Sequence, residues 1–501
     1  MTTLREYHER TKHSPASVRA SANALDWENQ PIPFKVYPDL DPLPLPTDLP
    51  GSQHLALEAI AGITARPPRT LDVGLLAHVL YFSAGVLRRR PYPGGEVFYR
   101  AAACTGALYH VDAYVVCGDI DGLAAGVHHF GPHDFALRTL RAGDHRAPLV
   151  AATGDEPHAA DAPVLVVLTS TFWRNAWKYR ARAYRHCFWD AGTLVANLLA
   201  VTAALGVPAH VVTGFVDDDV AGLLDIDQAR EVPLAVLALG VAGPPAPPAS
   251  ALPRLGLATL PLSREELDYP LIREAHAASS LATATAVQAW RAAGAEPPRM
   301  SARRADVVLE PLPAAAVPEP IETVIARRGS TRRFPRKAIP LDRLATILHL
   351  SIRPVPLDVV TPVELHVIVN AVDGLAPGAY RCGPDGRTLE CLRAGDFRDT
   401  AGHLDLGQEL AADAAVNLYW LADLDAVFAR LGDRGYRAVQ LAAAIAGGRA
   451  YLAAYALGLG ATGLTFFDDD VTHFLAPSAP GMGVMFLVAV GRRGRAAAVA
   501  H

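Results

Sequence analysis

Runs of branched aliphatic and leucine residues of strand length recur at residues 164–168, 234–239 and 484–490, bounded by polar or glycine-containing turns. Longer apolar segments with helical spacing lie between such runs. The order helix, strand, glycine-rich turn, strand, long helices, strand is read twice along the chain. Residues 191–212 run for 22 positions without a formal charge, the length of a bilayer span. That stretch is rich in Ala and Gly, holds Pro208, and has a later counterpart broken by Arg449. The pattern therefore predicts a buried core helix followed by a strand, and no membrane span. Residues 263–293, rich in Ala, Glu and Arg, predict one or two helices between Pro- and Ala-rich connectors that begin at Gly243 and Ala292.

The two readings of the pattern are copies of each other. Residues 121–146 (DGLAAGVHHFGPHDFALRTLRAGDHR) and 373–398 (DGLAPGAYRCGPDGRTLECLRAGDFR) agree at 14 of 26 positions without a gap, at an offset of 252. The same offset pairs Tyr184-Arg185 with Tyr436-Arg437 and Ala204-Leu205-Gly206 with Ala456-Leu457-Gly458, and an offset of 251 pairs Asp217-Asp218-Asp219-Val220 with Asp468-Asp469-Asp470-Val471. We expect an N-terminal arm at 1–50, a first copy at 51–243, a linker with helices at 244–317, a second copy at 318–495 and a short tail at 496–501. The class is α+β, and a duplicated domain that buries its equivalent faces against each other makes an intrachain pseudo-dimer.

Composition narrows the function. Of 501 residues, 51% are hydrophobic and 19% charged, which suits globular cores, and Lys+Arg 46 against Asp+Glu 51 gives a net charge of -5. With no basic block beyond Arg88-Arg89-Arg90, nucleic acid is not an expected partner. Five cysteines without a CxxC spacing argue against a disulfide framework or a thiolate metal site. The opening MTTLREYHERTKHS carries charge where a signal peptide needs an apolar core, so a cytoplasmic setting is expected.

Positions where the copies disagree point to chemistry. The second copy opens on Arg327-Arg328-Gly329-Ser330-Thr331-Arg332-Arg333-Phe334 and ends on Gly491-Arg492-Arg493, a set of guanidiniums and a hydroxyl suited to a phosphate dianion. The first copy has only Arg66-Pro67-Pro68-Arg69-Thr70 at the matching place and ends on Gly240-Val241-Ala242. It carries instead a small-residue loop, YRAAACTGALY at 99–109, and the pair Lys178-Tyr179, which the second copy replaces with Arg430-Leu431. Lysine and tyrosine side by side can relay protons, and desolvation favours the neutral amine of a lysine. The asymmetry predicts one composite site between the copies.

Several motifs read as structure. Gly458-Leu459-Gly460-Ala461-Thr462-Gly463 matches GxGxxG, but a helical segment precedes it and residues 464–467 read as strand, the reverse of a dinucleotide fold. The Asp triplets stand where a helix N-cap would. No metal is expected, because His128-His129 has no third ligand in view. No local His or acid pairs with Cys104, which leaves close backbone approach as its role.

The turn Arg328-Gly329-Ser330-Thr331-Arg332, the turn Ala461-Thr462-Gly463-Leu464 and the terminal Gly491-Arg492-Arg493 resemble the flavin-binding parts of the nitroreductase superfamily. Cys104-Thr105-Gly106-Ala107-Leu108-Tyr109 and Lys178-Tyr179, followed by Arg182-Ala183-Tyr184-Arg185, resemble its SagB/ThcOx-type branch, the azoline dehydrogenases of ribosomal-peptide biosynthesis. Tyr7-His8-Glu9, Thr11-Lys12-His13 and Leu25-Asp26-Trp27 are similar to tandem members of that branch, so the resemblance covers nearly the whole chain.

The resemblance implies two α+β units with FMN buried between them. It assigns Arg328, Ser330, Arg332 and Arg493, with Gly329 and Arg492 beside them, to the phosphate, and Thr105, Gly106, Gly463 and Leu464 to the ring. Lys178 is then the candidate base and Tyr179 its partner. The implied substrate is an azoline-containing peptide, with a cyclodehydratase complex as a candidate partner and a homodimer left open. Two other readings stand beside it: an NAD(P)H-dependent flavin reductase or oxidase of a small molecule, and a flavin-poor scaffold subunit of a peptide-modifying complex.

Overall fold

Two seven-stranded antiparallel sheets repeat one topology. The computed structural model describes residues 2–20, 25–64, 66–92, 95–241, 243–248, 252–296, 304–476 and 481–494. The expected tail at 496–501 lies outside them, as do parts of both Pro-rich connectors. The first sheet runs in the order Pro42–Pro44, Ala136–Ala142, Gly126–Gly131, Val111–Cys117, Val164–Thr171, Glu231–Leu239, Ala209–Val212. The second runs Val307–Val308, Thr388–Ala394, Gly378–Cys382, Glu364–Val369, Val416–Asp423, Met482–Gly491, Gly460–Gly463. Each place in one order holds the counterpart of the same place in the other. The sheets reach past the sequence repeat: the arm supplies the outer strand of the first, pairing with 136–138, and the linker that of the second.

The central strands are apolar on both faces because helices cover both sides, which is why they read as continuous Val and Leu runs. The charge-free stretch folds as expected, into the end of helix Ala183–Leu205 and strand Ala209–Val212, and the helix is buried. The predicted linker helices are Pro270–Ser279 and Ala284–Ala293. One expectation is corrected. The strand foreseen at 464–467 lies at Gly460–Gly463, within the glycine-rich motif itself, and 464–467 are irregular. A helix still precedes that motif, so it does not have the setting of a dinucleotide fold.

The copies meet along two long helices, Ala183–Leu205 and Leu424–Ala456, the latter kinked at Gly432. Small side chains let the helices approach: a Cβ on Gly192 would lie 2.4 Å from that of Ala444, and one on Gly448 would lie 2.6 Å from that of Ala196. Residues 192 and 444, and 196 and 448, are partners at the repeat offset of 252, so each position packs on its own counterpart, as at an isologous dimer interface.

Buried ion pairs lock this crossing. Asp468 of the second copy accepts from Arg185 (2.6 Å) and Arg182 (3.0 Å) of the first, while Asp217 of the first accepts from Arg437 (2.7 Å) and Arg434 of the second. The Asp triplets were expected to cap helices. They occupy the first turns of Asp217–Leu224 and Asp468–Leu475, but Val216 and Phe467 stand at the caps and the leading aspartates reach across to the other copy.

Burial alone would raise the carboxyl pKa of Asp217, yet Arg434 and Arg437 outweigh it and hold the group at about 2. Asp468 is likewise held low by Arg182 and Arg185 against burial. A carboxylate depressed in the folded state stabilises fully above its unfolded pKa of about 3.9 and loses that contribution as pH falls through the folded value. Stability should therefore fall between about pH 4 and pH 2, as followed by denaturant unfolding across that range. Asp468→Ala strands two buried arginines and should cost about 3–5 kcal/mol, with a loss below 1 kcal/mol counting against the interface described here.

Candidate active site

The loop at residues 101–110 of the first copy is held from beneath by one face of helix Ala183–Leu205. Asp190 accepts from the backbone N–H of Thr105 (2.9 and 3.0 Å), from its hydroxyl (2.8 Å) and from the Cys104 thiol (3.0 Å). One and two turns on, Thr193 donates to the carbonyl of Ala103 (2.6 Å) and Asn197 to that of Ala101 (3.0 Å). His110 closes the network, with Nε2 at 2.7 Å from Asp190 and Nδ1 at 2.8 Å from Ser170. The turn Thr105–Ala107 needs left-handed backbone at Gly106 (φ 64°), and Ala107 and Tyr109 share that region at φ 55° and 49°. So many anchors on so short a loop keep it in a conformation that alanine and tyrosine resist.

Cys104 was expected to lack a nearby His or acid; the fold brings both Asp190 and His110 to it. Burial first, and then the Asp190 carboxylate, push its thiol well above the ordinary value, which favours the neutral thiol that donates to Asp190. The donor atoms of Cys104, His110 and Asp190 lie within 4.8 Å of one another, but Asp190 is already occupied by the loop.

Helix Phe172–Tyr179 ends beside this loop. The hydroxyl of Tyr179 lies 2.8 Å from where a Gly106 Cβ would stand. Burial, ahead of Asp190 and Cys104, raises the Tyr179 pKa while Arg332 opposes, so the phenol keeps its proton at neutral pH. Lys178 is exposed, with Nζ 5.4 Å from the centre of the Tyr179 ring, so the burial foreseen for it is not supplied by the chain alone. The chain leaves the helix through Arg180 at φ 51°, ψ -140°, where the second copy uses Gly432 at φ 57°, ψ -160°. The Lys-Tyr pair is thus carried on a bend that glycine makes freely and arginine makes under strain.

From the second copy, residues 328–332 and Arg493 come to the same place. Arg328 donates to the carbonyls of Ala101 (3.1 Å) and Arg100 (3.3 Å) in the first copy and sits over the Tyr451 ring. Ser330 pairs with the Tyr451 hydroxyl (2.9 Å), which accepts from the Gly463 N–H (3.2 Å). Arg493 lies over Tyr455, whose hydroxyl meets Thr331 (3.2 Å). Arg332 is exposed and close enough to act on Tyr179, Gly329 lies near Tyr455, and Leu464 follows Gly463 at the open edge of the sheet. Arg492 departs from the group: its Nε donates to the carbonyl of Ala338 (2.7 Å).

Three features fit a phosphate-bearing aromatic cofactor. No ion pair among the described residues involves Arg328, Arg332 or Arg493. The buried hydroxyl of Thr465, two residues past Gly463, has no hydrogen-bond partner. Gly463 is bare, its nearest foreign atom to a Cβ being the Leu487 carbonyl at 3.8 Å.

The sequence matches the Nitroreductase family over residues 98–241 and 325–492, more than half of the chain and both copies. The chain belongs to the nitroreductase family. A crystal structure from Anabaena variabilis, described as a nitroreductase, is similar to it at 26% identity and a TM-score of 0.76, over 99% of this chain and 100% of that one. A protein of Methanocaldococcus jannaschii, also named as a nitroreductase, is 23% identical over 38% of this chain and 94% of its own length. The microcin B17-processing protein McbC of Escherichia coli is 26% identical over 30% of this chain and 54% of its own length, so the match spans about half of McbC.

Asp190, Thr193, Asn197, Tyr451 and Tyr455 were not foreseen. By the repeat offset they face Ala442, Ile445, Arg449, Leu199 and Ala203, so a comparison of the copies along their helices would have exposed them. Gly106→Ala should lose about 1–2 kcal/mol to the left-handed backbone alone and push on the Tyr179 hydroxyl. Denaturant unfolding checks this, and an unchanged midpoint would contradict the close approach.

Proposed function

We propose that the chain is an FMN-dependent dehydrogenase that oxidises a thiazoline or oxazoline in a ribosomally made peptide to the aromatic azole. The observation that carries the proposal is the division of one site between the copies: arginines without an acidic partner from the second and a close-approach loop with a Lys-Tyr pair from the first. Family membership supports an oxidoreductase, and the likeness to McbC supports peptide processing as the setting. In this reading Arg328, Ser330, Arg332 and Arg493 hold the phosphate, and Thr105, Gly106, Gly463 and Leu464 border the ring. When bound, FMN supplies the acceptor of a hydride equivalent, and dioxygen takes the electrons from it.

The chain's own residues manage the proton. Lys178 accepts it from the azoline carbon, and its exposure gives a peptide direct access from solvent. A substrate seated over Lys178 excludes water from it. Tyr179, protonated and fixed against Gly106, orients the lysine or donates a hydrogen bond to the substrate. The anchored loop keeps the backbone in place through the reaction. An azoline-containing peptide and a cyclodehydratase complex are the proposed partners, in a cytoplasmic setting.

Lys178→Ala should keep its yellow colour and lose turnover of an azoline peptide by about 100-fold or more. Wild-type rates from that variant would remove Lys178 as the base. The Arg328→Ala/Arg332→Ala variant should lose at least about a hundredfold in FMN affinity, measured by fluorescence titration, because each charge-assisted hydrogen bond contributes about 1.5–3 kcal/mol. Turnover should proceed without NAD(P)H, whereas an absolute need for it would favour the reductase reading.

A further inference from the structure

The exchange of the two copies generates a second position equivalent to the proposed flavin site. We infer that the chain fills this second position itself, with Trp290 in the place of the ring and Asp358 at its edge, so that one chain binds one flavin. The inference rests on the FMN reading above.

The internal offsets carry Tyr179 to Leu431 and residues 463–465 to 212–214. Counted back from the matched strands Val111–Cys117 and Glu364–Val369, Gly106 corresponds to Asp358 and Ala107 to Val359. In the first site these pieces surround the proposed cofactor. In the second they surround an indole. Trp290, from linker helix Ala284–Ala293, is buried with Val359, Leu431 and Ala438, and its Nε1 donates to the carbonyl of Leu431 (3.0 Å). A Cβ on Gly214 would meet the indole ring at 2.9 Å.

The polar edge is filled as well. Asp358 accepts from the Thr213 N–H (2.9 Å), the Thr213 hydroxyl (2.7 Å) and the Gly214 N–H (2.8 Å). Those backbone groups match Leu464 and Thr465, next to the orphaned hydroxyl of the first site. The segment bearing Asp358 also pairs with the edge strand of the first sheet, Val211 N–H to Pro356 (2.8 Å) and Asp358 N–H to Val211 (3.1 Å). Among the described residues no backbone hydrogen bond joins 101–110 to Gly460–Gly463, so the first site lacks the strand-edge pairing that closes the second. Arg449, the counterpart of Asn197, ties the segment down through the carbonyls of Arg353 and Pro354. On the phosphate side, Arg66 donates to the carbonyl of Ser52 (2.6 Å) and stands among prolines instead of the Arg-Ser-Arg turn.

The test is flavin released and counted per chain after saturation with free FMN. We expect one equivalent in the wild type and none in Arg328→Ala/Arg332→Ala at the same FMN concentration. Two equivalents in the wild type, or one retained by the double variant, would overturn the inference while leaving a flavoprotein. A wild type that takes none sinks the functional reading and this inference with it. A second measurement uses lumichrome, the flavin tricycle without its phosphate chain, on FMN-loaded protein. Trp290→Ala should bind one equivalent more than the wild type, and Trp290→Phe, which keeps most of the filling, should not. Equal binding by Trp290→Ala and the wild type would show that the indole does not occupy a ring site.

Discussion

The structure depends on the exchange of two buried aspartates between the copies. Asp217 and Asp468 each leave their own domain to meet two arginines of the other, at positions related by the repeat. A buried carboxylate stranded without its cations is costly, so neither copy is satisfied alone. The Gly-on-Ala contacts of the crossing helices allow the approach, and the ion pairs fix its register. Everything at the candidate site follows from this register, because Arg328 reaches the carbonyls of Arg100 and Ala101 only across that interface.

A symmetric scaffold carries asymmetric side chains. Both copies keep the sheets, the crossing helices and the bend before the long helix, which Arg180 makes in one and Gly432 in the other. The differences are side chains on shared positions: Tyr179 against Leu431, Asn197 against Arg449, Tyr451 against Leu199. In the second position Leu431 is packed with Trp290 and Val359. Duplication within one chain permits this, since two halves of a homodimer cannot diverge in this way.

Much of the architecture was legible because the repeat offset is constant and the strands are strongly apolar. The duplication, and the expectation that the copies bury equivalent faces against each other, follow from comparing copies. What the sequence withheld was the origin of partners. Asp217 and Asp468 read as helix caps because nothing local reveals arginines arriving from another domain. Cys104 looked solitary because Asp190 reaches it only through the fold, and His110 joins it through that same carboxylate. Asp190 and Tyr451 were hidden in runs whose apolar neighbours identify a core helix, and Lys178 proved exposed where catalysis suggested burial. The edge strand at Gly460–Gly463 escaped because glycine contributes no pattern of its own.

The most direct test of the split site is a crystal structure of the FMN-soaked chain. The account predicts phosphate density among Arg328, Ser330, Arg332 and Arg493 of the second copy, with the ring against the Thr105-Gly106 turn of the first. Phosphate density beside Arg66 and Arg69, or a ring held by residues of one copy alone, would contradict it.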